Sequence, residues 1–174
     1  MPYSDIRFDG ILQAWVMALR FHTHSWRPRA IDIGAGAGKT SDLIRPMVAQ
    51  LDAIEVFEPY VERFGLKQKY DHVFVEDVDT LSANWFARYD IAIIGDALEH
   101  LTVQHANLLL LRLKNAHCMV FVQVPFLYKQ EAFEGNEAER HHQDDLTRAV
   151  MAERYPALIK IHADERLGCY YQMP

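Results

Sequence analysis

Cysteines and long apolar runs are scarce in this chain. Only two cysteines occur among 174 residues, which excludes a fold held together by disulfides. Cys118 and Cys169 both lie in apolar, strand-like runs, so we expect small buried residues of a reducing compartment. No run of about 18 uncharged apolar residues occurs, which predicts no membrane span. The first ten residues carry acids instead of a basic, apolar leader, which predicts no secretory signal and a cytoplasmic location.

Basic charge is also scarce. The formal net charge is −6, which disfavours broad binding to nucleic acid while leaving room for a local basic groove. Half of the residues are apolar and about a quarter are charged, as in ordinary globular proteins. The length predicts a single domain over residues 1–174, since no repeat, low-complexity segment or linker interrupts it. The sequence does not indicate an oligomeric state.

The hydrophobic pattern changes near residue 29. Residues 4–24 are apolar at largely helical spacing, which predicts a capping helix within residues 1–28, its aromatic side chains packed in the core. Strands and helices then alternate, as in parallel sheets with crossover helices. The predicted strands are 30–33, 53–57, 73–75, 91–94 and 118–124, and the predicted helices lie near 38–50, 59–67, 81–88 and 102–115.

The end of the chain has a different pattern. Thr147 is placed to cap a short helix that stops before Pro156. Two β-rich runs follow, 158–163 and 167–172, and the short turn between them predicts a hairpin. The predicted fold class is therefore α/β. It is a Rossmann-like, seven-stranded sheet over residues 29–172, mostly parallel with an antiparallel C-terminal strand, and with helices on both faces.

The segment IDIGAGAGKT at 31–40 predicts a ligand-binding turn after the first strand. Its alternating glycines allow a sharp turn in which backbone amides approach a ligand closely. A phosphate-binding loop needs a glycine at position 33, where Ile33 stands, although the GKT ending leaves that alternative open. The dinucleotide fingerprint fails at its third glycine, because Lys39 occupies that position.

The alternating D-x-G-x-G-x-G form resembles the first motif of class I S-adenosylmethionine-dependent methyltransferases. The resemblance covers residues 29–172 and implies adenosylmethionine as the cofactor. That ligand carries a methionine zwitterion, a sulfonium and a nucleoside, with no phosphate. By the same resemblance, backbone amides and a carboxylate hold it, and the residues expected to do so in this loop are Asp32, Gly34, Ala35, Gly36 and Gly38.

Carboxylates follow the next two strands. Glu58, beside Pro59 at the start of a predicted helix, is expected to accept the ribose hydroxyls. Glu55 is the rival acid, but strict strand alternation turns it to the other face of the sheet. The resemblance assigns Asp77 to the adenine amino group and the backbone amide of Val78 to a ring nitrogen. In that role, Glu76 and Asp79 compete with Asp77.

The fourth strand ends in YDIAIIGDALEHL, which resembles a DxLEHL segment common in small-molecule and RNA methyltransferases of this class. The resemblance directs Asp96 toward the methionine, with Glu99 and His100 one turn further on. It adds His142, from the adjacent pair His141–His142, to the catalytic set formed by His100 and Glu99. We expect a general base rather than a metal, because the first acid is one methylene shorter than the usual glutamate. Asp96, Glu99, His100 and His142 remain the alternative set of ligands for a divalent ion.

These features together predict transfer of a methyl group to a hydroxyl of a small molecule, with an amine as the less favoured acceptor. Segment 125–143 is long and aromatic, which predicts a substrate lid. Neither a membrane nor a nucleic acid is expected as a partner. Three alternatives stay open: a metal-assisted enzyme similar to RNA 2′-O-methyltransferases, a non-catalytic adenosylmethionine-binding domain, and a phosphate-loop nucleotide hydrolase.

Overall fold

The computed structural model describes residues 9–22 and 27–174. The first predicted helix appears in it as α1 (Asp9–His22). The rest of that predicted helix, including residues 1–8, lies outside the described part of the chain. No helix among the described residues is long and apolar enough to cross a membrane.

One seven-stranded sheet forms the centre of the molecule, in the order β3-β2-β1-β4-β5-β7-β6. The first five strands pair in parallel, whereas β7 runs antiparallel to both β5 and β6. The predicted mostly parallel sheet with a reversed final strand is therefore confirmed. The strands are β1 (Arg29–Ile33), β2 (Gln50–Ile54), β3 (Val73–Phe74), β4 (Ile91–Gly95), β5 (Met119–Pro125), β6 (Ile159–Ala163) and β7 (Leu167–Gln172).

Helices cover both faces of the sheet, which gives the parallel strands two apolar faces to bury. Ile31 and Ile94 point into a core formed with α5, α6 and α7. The neighbouring Ala30 and Ile93 point into a second core formed with α1, α2 and the helices after β2. After α1 the helices are α2 (Lys39–Ile44), α3 (Glu58–Arg63), α4 (Leu66–Lys69), α5 (Ala83–Phe86), α6 (Val103–Asn115) and α7 (Arg148–Arg154).

Two predicted boundaries are wrong for identifiable reasons. Strand β2 lies three residues earlier than predicted, because the polar residue Asp52 interrupts its apolar pattern. That carboxylate is buried and accepts hydrogen bonds from the Tyr89 hydroxyl and the Gln50 amide, both at 2.7 Å. Helix α2 ends at Ile44 instead of near residue 50, because Pro46 forces the chain into a 3-10 turn.

Several smaller predictions are confirmed. The Thr147 hydroxyl accepts a hydrogen bond from the Val150 amide and so caps α7. Trp15 packs in the core against Phe121, with ring centroids 5.6 Å apart. Cys118 and Cys169 are buried free thiols, and burial raises the pKa of each to about 12.

Candidate active site

A cavity of about 420 Å³ lies at the carboxyl ends of β1, β2 and β4. Parallel α/β sheets place their ligands at this edge, because strand ends and helix starts converge there. The walls come from the glycine loop after β1, the turns after β2, β3 and β4, and a later segment over residues 136–142. The volume suits a small-molecule ligand.

The glycine loop folds back onto the end of β2. The amides of Gly34 and Ala35 both donate to the Ile54 carbonyl, at 3.0 and 3.1 Å. Gly34 and Gly36 have positive φ values of 75° and 51° and line the cavity together with Ala35. Gly38 also has a positive φ but lies outside the cavity, so it shapes the turn instead of facing a ligand.

Gly34→Ala is expected to destabilise the protein by about 2–4 kcal/mol. Its Cβ would lie 2.8 Å from the Ala97 Cβ, and the left-handed backbone adds to the cost. Urea unfolding monitored by circular dichroism measures the change. Gly95→Ala is the matched control in the same cavity, because nothing lies within 4 Å of its added Cβ. Equal effects of the two substitutions would contradict the prediction.

Asp32 lies behind the loop and does not line the cavity, contrary to its predicted contact with the ligand. Its buried carboxylate accepts hydrogen bonds from the hydroxyls of Tyr70 at 2.6 Å and Thr40 at 3.1 Å. Thr40 belongs to α2 and Tyr70 directly follows α4. The Asp32 carboxylate therefore anchors the start of the glycine loop to the helices packed beside it. Burial raises the pKa of Asp32 to about 6, and these two hydrogen bonds only partly oppose that effect.

The raised pKa of Asp32 predicts a specific pH dependence of stability. Because the folded pKa of about 6 exceeds the ordinary 3.8, the folded state binds the proton more tightly. Stability from this group is therefore greatest below about pH 4 and falls by up to about 3 kcal/mol as pH rises past 6. Asp32→Asn does not titrate, so the melting temperature of wild type minus that of this variant should fall between pH 4.5 and 7. A difference that stays constant over this pH range would refute the assignment.

Glu55, rather than Glu58, lies at the end of β2. Its carboxylate is only 5% exposed, lines the cavity and accepts hydrogen bonds from the amides of Gly36 and Phe57, each at 2.9 Å. Glu58 and Pro59 begin α3, are exposed and lie outside the cavity. The predicted orientation of Glu55 is wrong, because β2 ends at Ile54 and strand alternation does not extend into the turn.

The turn after β3 forms another wall of the cavity. Asp77 and Val78 line it as predicted, and so do the competing Glu76 and Asp79. The Asp77 carboxylate caps a short 3-10 turn by accepting a hydrogen bond from the Asp79 amide at 2.9 Å. Asp79 also pairs with His105, whose Nδ1 lies 2.6 Å from the carboxylate. An acidic turn thus lies beside Val78, whose amide is the predicted adenine contact.

The turn after β4 presents the acid and imidazole groups predicted for catalysis. Asp96 lines the cavity with a φ of 52°, a backbone conformation that is rare outside glycine and clusters at functional sites. Its carboxylate accepts a hydrogen bond from the Gln123 amide at 3.0 Å. His100 lines the cavity, whereas the Glu99 side chain is buried just behind it, 1% exposed.

His141, rather than His142, completes this cluster. Its Nε2 lies 3.9 Å from Glu99 Oε1, and its ring stands edge-on to that of His100 with centroids 4.6 Å apart. His142 lines the cavity, but its amide donates to the Glu99 carbonyl. The two adjacent side chains thus have different surroundings, and of the two only His141 contributes a ligand atom to the cluster.

The hydrogen bonds of the two imidazoles show which nitrogen of each ring offers a lone pair. Nδ1 of His100 lies 3.3 Å from the Arg140 carbonyl, and Nδ1 of His141 lies 2.8 Å from the Tyr128 carbonyl. A carbonyl only accepts, so Nδ1 carries the hydrogen and Nε2 offers a lone pair in each neutral ring. Burial, then the neighbouring His141, lowers the pKa of His100 to about 4. Burial also lowers the pKa of His141.

Glu99 supplies the acidic member of the cluster. Burial, reinforced by the charge of Asp96, raises its pKa well above the ordinary range. Its Oε2 atom makes no hydrogen bond with the described residues. Glu99, His100 and His141 each bring one ligand atom within 4.8 Å of the others. This arrangement suits either proton transfer or coordination of a divalent ion.

Sequence reasoning missed two cavity residues, Asn136 and Glu139. Both are buried, although they lie in a polar segment without apolar periodicity. The signal was the turn at Gly135, whose φ of 81° redirects the chain into the cavity. Of the predicted lid at 125–143, the first part packs elsewhere, since Phe126 is buried in the core. The lid-like contacts therefore come from residues 136–142.

The fold is shared with solved methyltransferases, while no family model and no curated protein matches the sequence. Magnesium protoporphyrin IX methyltransferase from Synechocystis, solved with adenosylmethionine, is 15% identical, with a TM-score of 0.62 over 95% of this chain and 78% of its own. The 1,6-didemethyltoxoflavin N1-methyltransferase from Burkholderia thailandensis is 15% identical, with a TM-score of 0.58 over 98% and 82%. The methyltransferase domain of bacterial CtHen1 is 19% identical, with a TM-score of 0.58 over 95% and 99%.

Proposed function

We propose that this chain is an adenosylmethionine-dependent methyltransferase. The observation that carries the proposal is the junction of the glycine loop with Glu55, where the Gly36 amide and a buried carboxylate meet at adjacent strand ends. Such a junction suits a nucleoside, since a carboxylate held by two backbone amides keeps lone pairs for the ribose hydroxyls, and the glycines leave room for a ligand beside it. The shared fold with proteins solved with adenosylmethionine or adenosylhomocysteine supports the same conclusion.

In this proposal the cofactor extends along the strand ends. Glu55 accepts the ribose hydroxyls, in the role expected of Glu58 from the sequence. Asp77 and Val78 contact adenine, and the methionine lies between Gly34 and Asp96. The sulfonium then faces His100 and the segment over 136–142, leaving that side of the cavity for the acceptor.

The acceptor we propose is a small molecule methylated on a hydroxyl, with an amine as the less favoured alternative. The cavity is small, and the neutral His100 imidazole on its wall can take the acceptor's proton. Transfer of the methyl group is an in-line displacement, so alignment contributes most of the rate enhancement. A general base contributes a further factor of about 10²–10⁴.

Calorimetric titration with adenosylmethionine and with ATP tests the cofactor. We expect adenosylmethionine to bind and ATP not to bind, because Lys39 forms an ion pair with Asp9 at 2.6 Å. Binding of ATP alone would support the phosphate-loop alternative. Release of adenosylhomocysteine with a panel of hydroxyl and amine acceptors then separates an enzyme from a non-catalytic binding domain.

A metal-assisted methyltransferase is the second candidate, favoured by the cluster of Glu99, His100 and His141, whose ligand atoms lie within 4.8 Å of one another. These three residues fit a divalent ion, because each imidazole uses Nδ1 for a backbone carbonyl, as metal-ligating histidines do. A bound ion would supply a positive charge that lowers the pKa of a coordinated hydroxyl. The ligand set would contain His141 in place of the predicted His142, and Asp96 would lie outside it.

A further inference from the structure

Glu139 is a buried acid of the cavity wall that none of the proposed roles uses. Its side chain is held in place because the Gln130 amide donates to both the Glu139 carbonyl and its carboxylate, each at 2.7 Å. The residue is 7% exposed and lines the cavity. It therefore presents a fixed carboxylate to any ligand bound there.

Glu139 lies between the two functional ends of the cavity. On one side of it in the chain, Glu134 forms an ion pair with Arg63 of α3, the helix that follows β2 and the proposed ribose end. On the other side, the carbonyl of the next residue, Arg140, lies 3.3 Å from Nδ1 of His100 in the catalytic cluster. The segment that carries Glu139 therefore runs from one end of the cavity to the other, past the place where the reacting sulfur is expected.

Methyl transfer changes the charge at that point. The S–CH₃ bond breaks with its electron pair left on sulfur, so the sulfonium becomes a neutral thioether. The methyl group forms its new bond with the lone pair of the acceptor atom, and the acceptor's proton passes to a base. The cofactor and its product thus differ by one positive charge, which a nearby carboxylate distinguishes.

We propose that Glu139 is a specificity-determining residue that makes the cavity bind sulfonium adenosylmethionine more tightly than neutral adenosylhomocysteine. This inference rests on the proposed function and identifies how the same site would release adenosylhomocysteine. Loss of the positive charge removes the attraction to Glu139, so the spent cofactor leaves and fresh cofactor replaces it. Asp96 and Glu55, which also line the cavity, add to the same field.

Calorimetry on the full chain with three ligands tests the proposal. The ligands are adenosylmethionine, adenosylhomocysteine, and sinefungin, which carries an ammonium group in place of the methylated sulfur. We expect both cationic ligands to bind at least about tenfold more tightly than adenosylhomocysteine. In Glu139→Gln the preference should fall at least about threefold, mainly through weaker binding of the cations.

Glu137→Gln is the matched control. Glu137 belongs to the same 3-10 turn, but its side chain is 75% exposed and lies outside the cavity. The control should keep the wild-type preference, and melting temperatures of both variants report on folding. If Glu139→Gln does not fold, Glu139→Asp retains the charge one methylene further back and should keep a reduced preference.

The outcomes separate this proposal from the one on which it rests. If none of the three ligands binds, the proposed function fails. If all three bind with equal affinity, or if Glu139→Gln keeps the full preference, the role of Glu139 is overturned while adenosylmethionine binding stands.

Discussion

Glu55→Ala is expected to weaken adenosylmethionine binding by about 100-fold. The substitution removes the buried carboxylate proposed to accept the ribose hydroxyls, and charge-assisted hydrogen bonds each contribute about 1.5–3 kcal/mol. It also removes the acceptor for the Gly36 and Phe57 amides, which loosens the glycine loop at its contact with β2. Calorimetric titration of wild type and variant measures the change in the dissociation constant.

Glu58→Ala is the matched control for this prediction. It changes an exposed acid only three residues away, at the first position of α3. We expect its affinity to stay within about twofold of wild type, since surface substitutions away from a site have small effects. Circular dichroism shows whether Glu55→Ala remains folded, and Glu55→Gln serves if it does not. A large loss in Glu58→Ala with none at Glu55 would restore the assignment made from the sequence.

His141→Ala is expected to reduce turnover by at least about 100-fold while leaving adenosylmethionine affinity nearly unchanged. Its imidazole contacts Glu99 and His100 but does not line the proposed cofactor path. Removing it takes away the imidazole that packs edge-on against His100, the proposed base, and one nitrogen of the candidate metal site. Turnover is followed as release of adenosylhomocysteine, using the acceptor found with the panel.

His142→Ala provides the comparison, because His142 lines the cavity but does not belong to the cluster of Glu99, His100 and His141. We expect a loss of less than about tenfold there, and the opposite ranking of the two histidines would contradict the structure. Chelation before the assay then separates the two mechanisms. Activity that survives EDTA supports a metal-free base. The metal-assisted candidate is supported if EDTA abolishes activity, if Mg²⁺ or Mn²⁺ restores it in wild type, and if neither ion restores it in His141→Ala.

The fold was predictable because its signals are local and repeated. Alternating apolar strands and helical segments indicated the parallel sheet, and the short turn after residue 163 indicated the final hairpin. The predicted loop after β1 was also correct, since only glycine tolerates the positive φ of Gly34 and Gly36 without strain. The predicted start of β2 was wrong because tertiary hydrogen bonds allow the polar residue Asp52 to be buried inside the strand.

The site was less predictable than the fold, because an error of one to three residues in position changes which side chain is expected to face the cavity. The three-residue error in the bounds of β2 led to the prediction that Glu58 faces the site, whereas Glu55 lines the cavity and Glu58 is exposed outside it. The sequence predicted His142 in the catalytic set, whereas the structure brings Nε2 of its neighbour His141 within 3.9 Å of the Glu99 carboxylate. Asp32 stands in the glycine motif, yet its hydrogen bonds to Thr40 and Tyr70 direct it into the core.

By itself the sequence determined the sheet, the glycine turn and the presence of acids and imidazoles after the strands. Those features depend on the chemistry of each residue and on contacts within a few positions along the chain. Only the tertiary structure decided which acids face the cavity, and it alone brought Glu139 into the same cavity as Glu55 and Asp96. That choice depends on where strands end and on contacts between residues far apart in the chain, from 19 positions for Gly36 and Glu55 to 40 for His100 and Arg140, which no local pattern encodes.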